Sequence, residues 1–301
     1  MKKYDNSGTI HDYVVWKLCG KKGKSVIDYT DAASWGAYDL TKNSFNFDTV
    51  KKLNIPPELL PQVVPVGTQA GVTGNFCGLK DGIKVMSAIG DNQSSVFAVF
   101  KKQTDALSLT IGTGIQLSLV TDRIIEGIEI RPYINNSFIA VAAPLCGGAT
   151  WAWLKNFVKD FIEKVSGTTL SDNEIYQLTD KLALSEIDSD DLPEIAPNFL
   201  GERYNPDLRG VISNLDLNNF SISKIAAALA LGLIRNLFNM MPDELWRDKK
   251  QLLVSGNAIR KNLSLRKACE KLLGLSPILQ DNLEEAAQGA AELSSLMQEK
   301  A

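Results

Sequence analysis

Three glycine-containing turns, each after an apolar run, are the parts of this 301-residue chain best suited to bind an anion. They are Gly112-Thr113-Gly114, Gly147-Gly148-Ala149 and Ser255-Gly256-Asn257-Ala258. Backbone amides that lack a neighbouring Cβ can approach a phosphate closely, and the N-terminus of a following helix adds partial positive charge. Glycine is also the ordinary residue of a tight turn, so each of them could be only a turn. Taken together, the three indicate a nucleotide-binding α/β domain.

Asp91 is the carboxylate best placed for catalysis. It follows an apolar run at residues 83–89, interpreted as a buried strand, and precedes a helical pattern at residues 92–100. A carboxylate there could simply cap the helix, which is the commoner role of Asp and the one that spacing alone favours. It could instead be a general base, because α/β proteins place their chemistry at the carboxyl edge of the sheet. His11 is the only histidine, so acid–base chemistry would rest on carboxylates.

The charged stretch Leu200-Gly201-Glu202-Arg203, with Arg209-Gly210 shortly after it, is the remaining polar motif. Taken alone, it is interpreted as a solvated loop with an internal ion pair. Residues 185–197, which are rich in acids and contain two prolines, also predict an exposed loop.

Composition excludes several classes of function. A formal net charge of −3 gives no electrostatic reason to expect nucleic acid or an anionic membrane as a partner. The most apolar run, residues 225–234, is about half as long as a membrane-spanning helix. The N-terminus lacks the apolar core of a signal peptide. Reduced thiols in the cytoplasm are expected from cysteines that are widely spaced, with no metal-ligand or disulfide pattern: Cys19, Cys77, Cys146 and Cys269.

The elements that would position the glycine turns alternate between strand and helix patterns. The apolar patterns predict strands at 106–110, 115–121, 138–145 and 252–254, and helices at 10–18, 92–100, 222–241 and 283–297. A further helix follows the second turn, with one apolar face made of Trp151, Leu154, Val158, Phe161 and Ile162. Strands that end in small-residue turns before helices predict an α/β fold, and the pattern changes near residues 100–105.

In this order and spacing, the motifs resemble one family, the FGGY carbohydrate kinases. The resemblance extends from about residue 10 to residue 291. Its most specific parts are Gly90-Asp91-Asn92-Gln93, the turn at residues 112–114, Leu200-Gly201-Glu202-Arg203, and the segment from Ser255 to Asn262. Within the family, residues 10–20, 32–36 and 200–207 are most similar to the sedoheptulokinases.

The resemblance implies two lobes of the ribonuclease-H/actin-like ATPase fold that close over ATP and a sugar. Residues 1–103 would be the end of the first, sugar-binding lobe, and residues 104–301 the second, nucleotide-binding lobe. The family's Asp-x-Gly-Thr phosphate loop, which opens the first lobe, has no match before Gly90. We therefore expect a complete second lobe and an incomplete first lobe.

The resemblance also implies roles for single residues. Asp91 matches the catalytic aspartate that accepts the proton of the attacking sugar hydroxyl, and Asn92 would lie beside the sugar. The residues expected to bind nucleotide are Gly112, Thr113, Gly114, Gly148, Gly256, Asn257, Lys261 and Asn262. ATP and Mg²⁺ are the expected cofactors, with no protein ligand assigned to the metal. This set suits phosphoryl transfer, which needs an aligned hydroxyl and neutralised phosphate charge.

The expected reaction is transfer of the γ-phosphoryl group of ATP to a sugar hydroxyl, with sedoheptulose to sedoheptulose 7-phosphate as the leading case. The alternative is a non-catalytic nucleotide-binding fragment that needs a partner chain. An incomplete first lobe could also favour a homodimer or a complementing N-terminal fragment. Neither nucleic acid nor a membrane is expected as a partner.

Overall fold

A computed structural model describes residues 6–21, 23–74, 76–100, 105–280 and 284–299 of the chain. The strands within these residues are β1 (Val26–Asp28), β2 (Tyr38–Asp39), β3 (Ser44–Phe45), β4 (Gln62–Val64), β5 (Gln69–Val72), β6 (Lys84–Met86), β7 (Ala106–Ile111), β8 (Ile115–Thr121), β9 (Glu129–Pro132), β10 (Phe138–Ala142), β11 (Glu194–Ala196), β12 (Val211–Ser213), β13 (Gln251–Ser255) and β14 (Pro277–Leu279).

The α-helices within the same ranges are α1 (Ile10–Leu18), α2 (Tyr29–Ala32), α3 (Phe47–Lys52), α4 (Asp91–Phe100), α5 (Gly148–Ser166), α6 (Asp172–Glu186), α7 (Ile222–Asn239), α8 (Asp243–Trp246), α9 (Asn257–Lys261), α10 (Leu263–Leu273) and α11 (Glu285–Glu299). Short 3₁₀-helices occupy Ala33–Trp35, Pro57–Leu59 and Ile134–Asn136. The alternation of strands and helices is that of an α/β protein.

A six-stranded mixed sheet forms the centre of the second half of the chain. Its strand order is β14-β13-β7-β8-β10-β9. The pairs β14–β13 and β13–β7 are parallel, whereas β7–β8, β8–β10 and β10–β9 are antiparallel. It follows that β7, β10 and β13 all run in the same direction, so their carboxyl ends lie at one edge of the sheet.

Helices cover both faces of this sheet. Alternate residues of β13 contact different layers: Leu252 and Val254 belong to the cluster with α5, α6, α7 and α10, and Leu253 belongs to the cluster with α4 and α11. Because successive strand side chains point to opposite faces, both faces are buried, and the central strands are almost continuously apolar.

Helix α7 is the most deeply buried helix of the core. By length and composition alone, Ile222–Asn239 could cross a membrane. The helix is longer than the apolar run at residues 225–234 that the sequence shows. Two thirds of that segment, however, is buried inside the protein, where its apolar surface contacts α6 and α10. A helix that is apolar nearly all round is what the centre of a large core requires.

The first hundred residues carry a smaller core of their own, which includes Ile27, Val50 and Leu60. Strands β1 and β4 form a parallel pair, and β2–β3 and β5–β6 are antiparallel pairs. A parallel sheet of only two strands is unusual, because parallel sheets normally contain more strands and are covered on both faces.

Helices α4 and α11 join this part to the central sheet. The Ser94 hydroxyl donates a hydrogen bond to the Ala286 carbonyl oxygen over 2.6 Å. A Cβ added at Gly289 would lie 2.7 Å from the Ser94 carbonyl carbon, so the two helix backbones are in direct contact. The predicted last helix begins at Leu283, which lies outside the described residues.

Several sequence interpretations were wrong. Residues 83–89 are not a buried strand: β6 covers only Lys84–Met86, pairs with β5 in a hairpin, and leaves Ile83 47% exposed. Phe161 does not share the buried face of α5, because it is half exposed. Residues 185–197 are not only a loop, since α6 extends into them and β11 pairs with β12. Local patterns do not reveal the β5–β6 and β11–β12 pairings, because each joins two separate segments of the chain.

Candidate active site

A cavity of about 530 Å³ lies at the edge of the sheet where β7 and β13 end. It is lined by Gly112, Thr113, Gly148, Ala149, Trp151, Ala152, Asn173, Tyr176, Gln177, Asn257, Ala258, Lys261 and Asn262. Six of the eight residues that the sequence assigns to nucleotide binding are in this lining; Gly114 and Gly256 are not. The three turns meet here because the strands before them run in the same direction.

Two of the glycines are required by close backbone approach. A Cβ at Gly148 would overlap the Gly112 carbonyl oxygen and lie 3.0 Å from its carbon. Gly256 has a φ of +96°, and a Cβ there would lie 2.7 Å from the Ile111 carbonyl carbon. The Ala149 amide also donates to the Thr113 carbonyl oxygen over 3.2 Å. The start of α5, the β7–β8 turn and the start of α9 are therefore packed backbone against backbone at the cavity.

Helix α6 supplies a wall of the cavity that sequence reasoning missed. Asn173, Tyr176 and Gln177 are spaced i, i+3 and i+4, which places them on one face of the helix. Lys155 of α5 lies 5.6 Å from the centre of the Tyr176 ring. The polar spacing on α6 was a signal in the sequence, but nothing local showed which face of the helix meets the glycine turns.

The corner between α9 and α10 forms the opposite wall. The Asn262 side-chain amide donates to the Ala258 carbonyl oxygen over 2.7 Å, and Asn262 itself is 5% exposed. Its extended backbone separates α9 from α10. Lys261, the last residue of α9, brings a positive charge to the cavity lining.

Asp91 lies apart from this cavity lining, as the first residue of α4. Its side chain is exposed, and its Oδ1 accepts the Asn92 amide proton over 2.6 Å. The Asn92 Oδ1 is buried and has no hydrogen-bond partner among the described residues. The carboxylate and the amide that the sequence assigns to the sugar are thus adjacent at one helix N-terminus.

A buried hydrogen-bond relay holds the backbone just before Asp91. The Gly90 amide donates to the Thr30 Oγ1 over 2.8 Å, and the Thr30 hydroxyl donates to the Asp28 Oδ1 over 2.6 Å. Burial raises the pKa of Asp28 to about 7. The polar turn after β1 therefore fixes the turn before α4, although 60 residues separate Thr30 from Gly90.

The single histidine is also near Asp91. His11 Nδ1 lies 3.1 Å from the Asp31 Oδ2, and Asp31 follows Thr30 in α2. Burial raises the pKa of Asp31, and the negative charge of Asp91 raises it further. The hydrogen bond from His11 acts in the opposite direction and lowers it.

The charged stretch after Phe199 is only partly solvated: Leu200 and Arg203 are exposed, but the interpretation was wrong for Glu202, which is buried and bonded to neutral groups. Glu202 is 1% exposed; its Oε2 accepts the Leu145 amide proton over 3.2 Å, and its Oε1 accepts from the Asn198 side chain over 3.1 Å. Arg203 donates to the Ala143 carbonyl oxygen. These bonds brace the segment between β10 and α5, directly before the cavity glycine at 148.

Among the described ranges, no group of three or more His, Cys, Asp or Glu side chains is arranged to hold a metal ion. Lys261 is a cation in the cavity lining, and Lys155 lies against the ring of the lining residue Tyr176. Lys155 and Lys159 both pair with Asp172, and these bonds lower the pKa of Asp172 to about 2.

Comparison with known proteins supports the resemblance to the FGGY carbohydrate kinases. Residues 1–98 match the model of the FGGY family of carbohydrate kinases, N-terminal domain. The chain is 30% identical to human sedoheptulokinase over 97% of its own length and 62% of that protein. The chain therefore spans less than two thirds of this relative.

Solved structures share the fold. A xylulose kinase from Rhodospirillum rubrum superposes with a TM-score of 0.80 at 19% identity, over 95% of this chain and 57% of that one. A glycerol kinase from Plasmodium falciparum, solved with ADP, superposes with a TM-score of 0.79 at 19% identity, over 98% of this chain and 58% of that one. The expected ribonuclease-H/actin-like ATPase fold is thereby confirmed.

Proposed function

We propose that the chain belongs to the FGGY family of carbohydrate kinases. It would provide the nucleotide site and the catalytic base of an enzyme that transfers the γ-phosphoryl group of ATP to a sugar hydroxyl. The observation that carries the proposal is the single cavity shared by the three glycine turns. Residues 104–301 would form the nucleotide-binding lobe, and residues 1–103 would belong to the sugar-binding lobe.

In this proposal, the β7–β8 turn and the start of α5 receive the phosphates. Gly112, Thr113 and Gly148 present backbone to the cavity, and Gly256 allows the turns to pack closely. The backbone of Gly114 is the surface against which Gly147 packs. Asn257, Lys261 and Asn262 would contact the adenosine. The cavity volume of about 530 Å³ is within the range of small-molecule sites in proteins.

Asp91 would accept the proton of the attacking hydroxyl. Its Oδ1 is engaged by the Asn92 amide, and its Oδ2 has no hydrogen bond to the described residues, which leaves that oxygen for the substrate. The unpartnered Asn92 Oδ1 could accept a second sugar hydroxyl. The relay from Asp28 through Thr30 would keep the base oriented, which matters because phosphoryl transfer depends mainly on positioning.

Mg²⁺ would be held chiefly by ATP phosphate oxygens and water, since no acidic cluster in the described part of the chain offers it ligands. When bound, it would neutralise charge on the transferred phosphoryl group. A cytoplasmic location remains a prediction from the cysteine pattern.

Sedoheptulose is the substrate we propose, giving sedoheptulose 7-phosphate. The 30% identity to human sedoheptulokinase over nearly the whole chain supports this choice over the glycerol kinases, which are similar at a lower identity, for example 25% for the enzyme from Bdellovibrio bacteriovorus.

A second candidate function is a nucleotide-binding fragment that is inactive without a partner chain. Two observations favour it: the chain covers 62% of human sedoheptulokinase, and β1–β4 is a parallel pair of only two strands. A complementing N-terminal polypeptide would supply further strands, and a homodimer could cover the same surface.

A coupled assay of ATP consumption separates these candidates. The chain is assayed with sedoheptulose, xylulose and glycerol, alone and after addition of the part of human sedoheptulokinase that the chain does not cover. Turnover by the chain alone supports the enzyme, and turnover only after addition supports the fragment. If calorimetry detects no binding of millimolar ATP or ADP with Mg²⁺, both candidates are wrong.

A further inference from the structure

Helix α6, which carries one wall of the cavity, is fixed to its neighbours by two acidic side chains, one in its first turn and one near its middle. At its first turn, Asp172 pairs with Lys155 over 2.8 Å and with Lys159 over 2.9 Å, both on α5. Two turns later, Asp180 contacts the start of α10. The cavity residues Asn173, Tyr176 and Gln177 lie between these two attachments.

Asp180 supplies the N-terminal cap that α10 lacks locally. The residue before α10, Asn262, makes no side-chain cap, and its amide is bound instead to Ala258. The Asp180 Oδ2 accepts the Leu263 amide proton over 3.0 Å, and its Oδ1 accepts from the Ser264 amide and hydroxyl over 2.9 and 2.5 Å. A carboxylate at a helix N-terminus satisfies amides that otherwise have no partner.

This contact joins the two walls that would hold the adenosine. Asp180 is 8% exposed and Ser264 is fully buried, so water cannot readily replace the bonds. On one side of the bond is the helix with Tyr176; on the other is the corner with Lys261 and Asn262. The part of the cavity that would bind the phosphates, at Gly112 and Gly148, is held separately by backbone packing.

We propose that Asp180 is a positioning residue of the nucleotide site, which sets the distance between α6 and the α9–α10 corner and thereby the affinity for the nucleoside half of the ligand. This inference rests on the proposed function. It differs from a role in folding alone, because it predicts a loss confined to one half of the nucleotide.

The test compares ligands that occupy different halves of the site. Dissociation constants are measured by calorimetry for ADP, and for tripolyphosphate as a probe of the phosphate end, well below the melting temperature. The side chain of Asp180→Asn has one acceptor oxygen in place of two, so it can accept a hydrogen bond from only one of the two amides. We therefore expect ADP to bind about 10-fold to 100-fold more weakly, with little change for tripolyphosphate. Ser264→Ala, which keeps both amide bonds, should weaken ADP by a smaller factor.

Asp12→Asn is the matched control. Asp12 is also buried, at 1% exposure, and its Oδ2 accepts from the Thr9 amide and hydroxyl at the start of α1. The Asp12→Asn variant should have a lower melting temperature, with the dissociation constants of ADP and tripolyphosphate unchanged.

The outcomes separate the inference from the function on which it rests. If the unmodified chain binds neither ligand, the proposed nucleotide site is wrong. If it binds ADP and Asp180→Asn binds ADP equally well, only the positioning role is refuted. Equal weakening of ADP and tripolyphosphate by Asp180→Asn would also refute it, because that pattern reflects general loss of structure.

Discussion

The substitution Gly148→Ala tests whether close backbone packing creates the nucleotide site. The new Cβ would lie 3.0 Å from the Gly112 carbonyl carbon and 3.5 Å from the Thr113 Cα, and it would overlap the Gly112 oxygen. Because a carbonyl oxygen extends about 1.2 Å from its carbon, the start of α5 and the β7–β8 turn must separate by on the order of 1 Å. Neither can yield alone, since the Ala149 amide is bonded to the Thr113 carbonyl.

The expected magnitudes follow from this displacement. Overpacking of this kind typically costs about 1–3 kcal/mol of the free energy of unfolding. A displacement of about 1 Å at a binding site can cost about 100-fold, so we expect ADP affinity to fall by one to two orders of magnitude. Calorimetry gives the affinity, and thermal or urea denaturation gives the stability.

Gly167→Ala is the control on the same helix. Gly167 ends α5 with a φ of +68°, and a Cβ there would meet no atom within 4 Å. Left-handed backbone costs a non-glycine residue about 1–2 kcal/mol, so both variants should be destabilised to a similar extent. Only Gly148→Ala should lose ADP affinity. Unchanged ADP binding by a folded Gly148→Ala variant would refute the assignment of this turn to the phosphates.

Three further results are expected. Gly112→Ala should keep its stability, because a Cβ there meets nothing within 4 Å, yet weaken ADP binding measured by calorimetry, because it projects at the cavity. Asp91→Asn, made in whichever preparation shows turnover, should lower turnover by roughly two to four decades in the coupled assay without changing ADP affinity. Near-normal turnover would exclude Asp91 as the catalytic base. Burial raises the pKa of Asp28 from 3.8 to about 7, so the folded state binds that proton more tightly than the unfolded state. The free energy of unfolding should therefore fall by up to about 4 kcal/mol between pH 4 and 7, and Asp28→Asn should flatten that fall in urea titrations at several pH values.

The meeting of the glycine turns could be predicted because it depends on local order. The turns at Gly148 and Gly256 each follow a strand and precede a helix, and the turn at Gly112 joins β7 to β8. All three lie at the carboxyl edge of the sheet because β7, β10 and β13 run in the same direction. Gly112, Gly148 and Asn257 accordingly line one cavity.

The parts that sequence reasoning missed depend on partners distant in the chain. Glu202 was interpreted as solvated, because Leu145, whose amide donates a hydrogen bond to its carboxylate, is 57 residues away in the sequence. Thr30 was not identified, since Gly90, whose amide donates to its hydroxyl oxygen, is 60 residues away. The wall contributed by Tyr176 required knowledge of which helices are neighbours in the layer. Periodicity gives the faces of a helix but not what they pack against.

The contact between α4 and α11 has a consequence for synthesis on the ribosome. The hydrogen bond from Ser94 to Ala286 spans 192 residues, so the helix that begins with Asp91 cannot acquire its partner until almost the whole described chain has been made. At about 5–20 residues per second, that interval is roughly 10–40 s. During it, the surface of α4 that later meets Gly289 is exposed. The nascent chain would therefore carry its candidate catalytic residue, for that interval, on a helix that lacks its α11 partner and is open to chaperones.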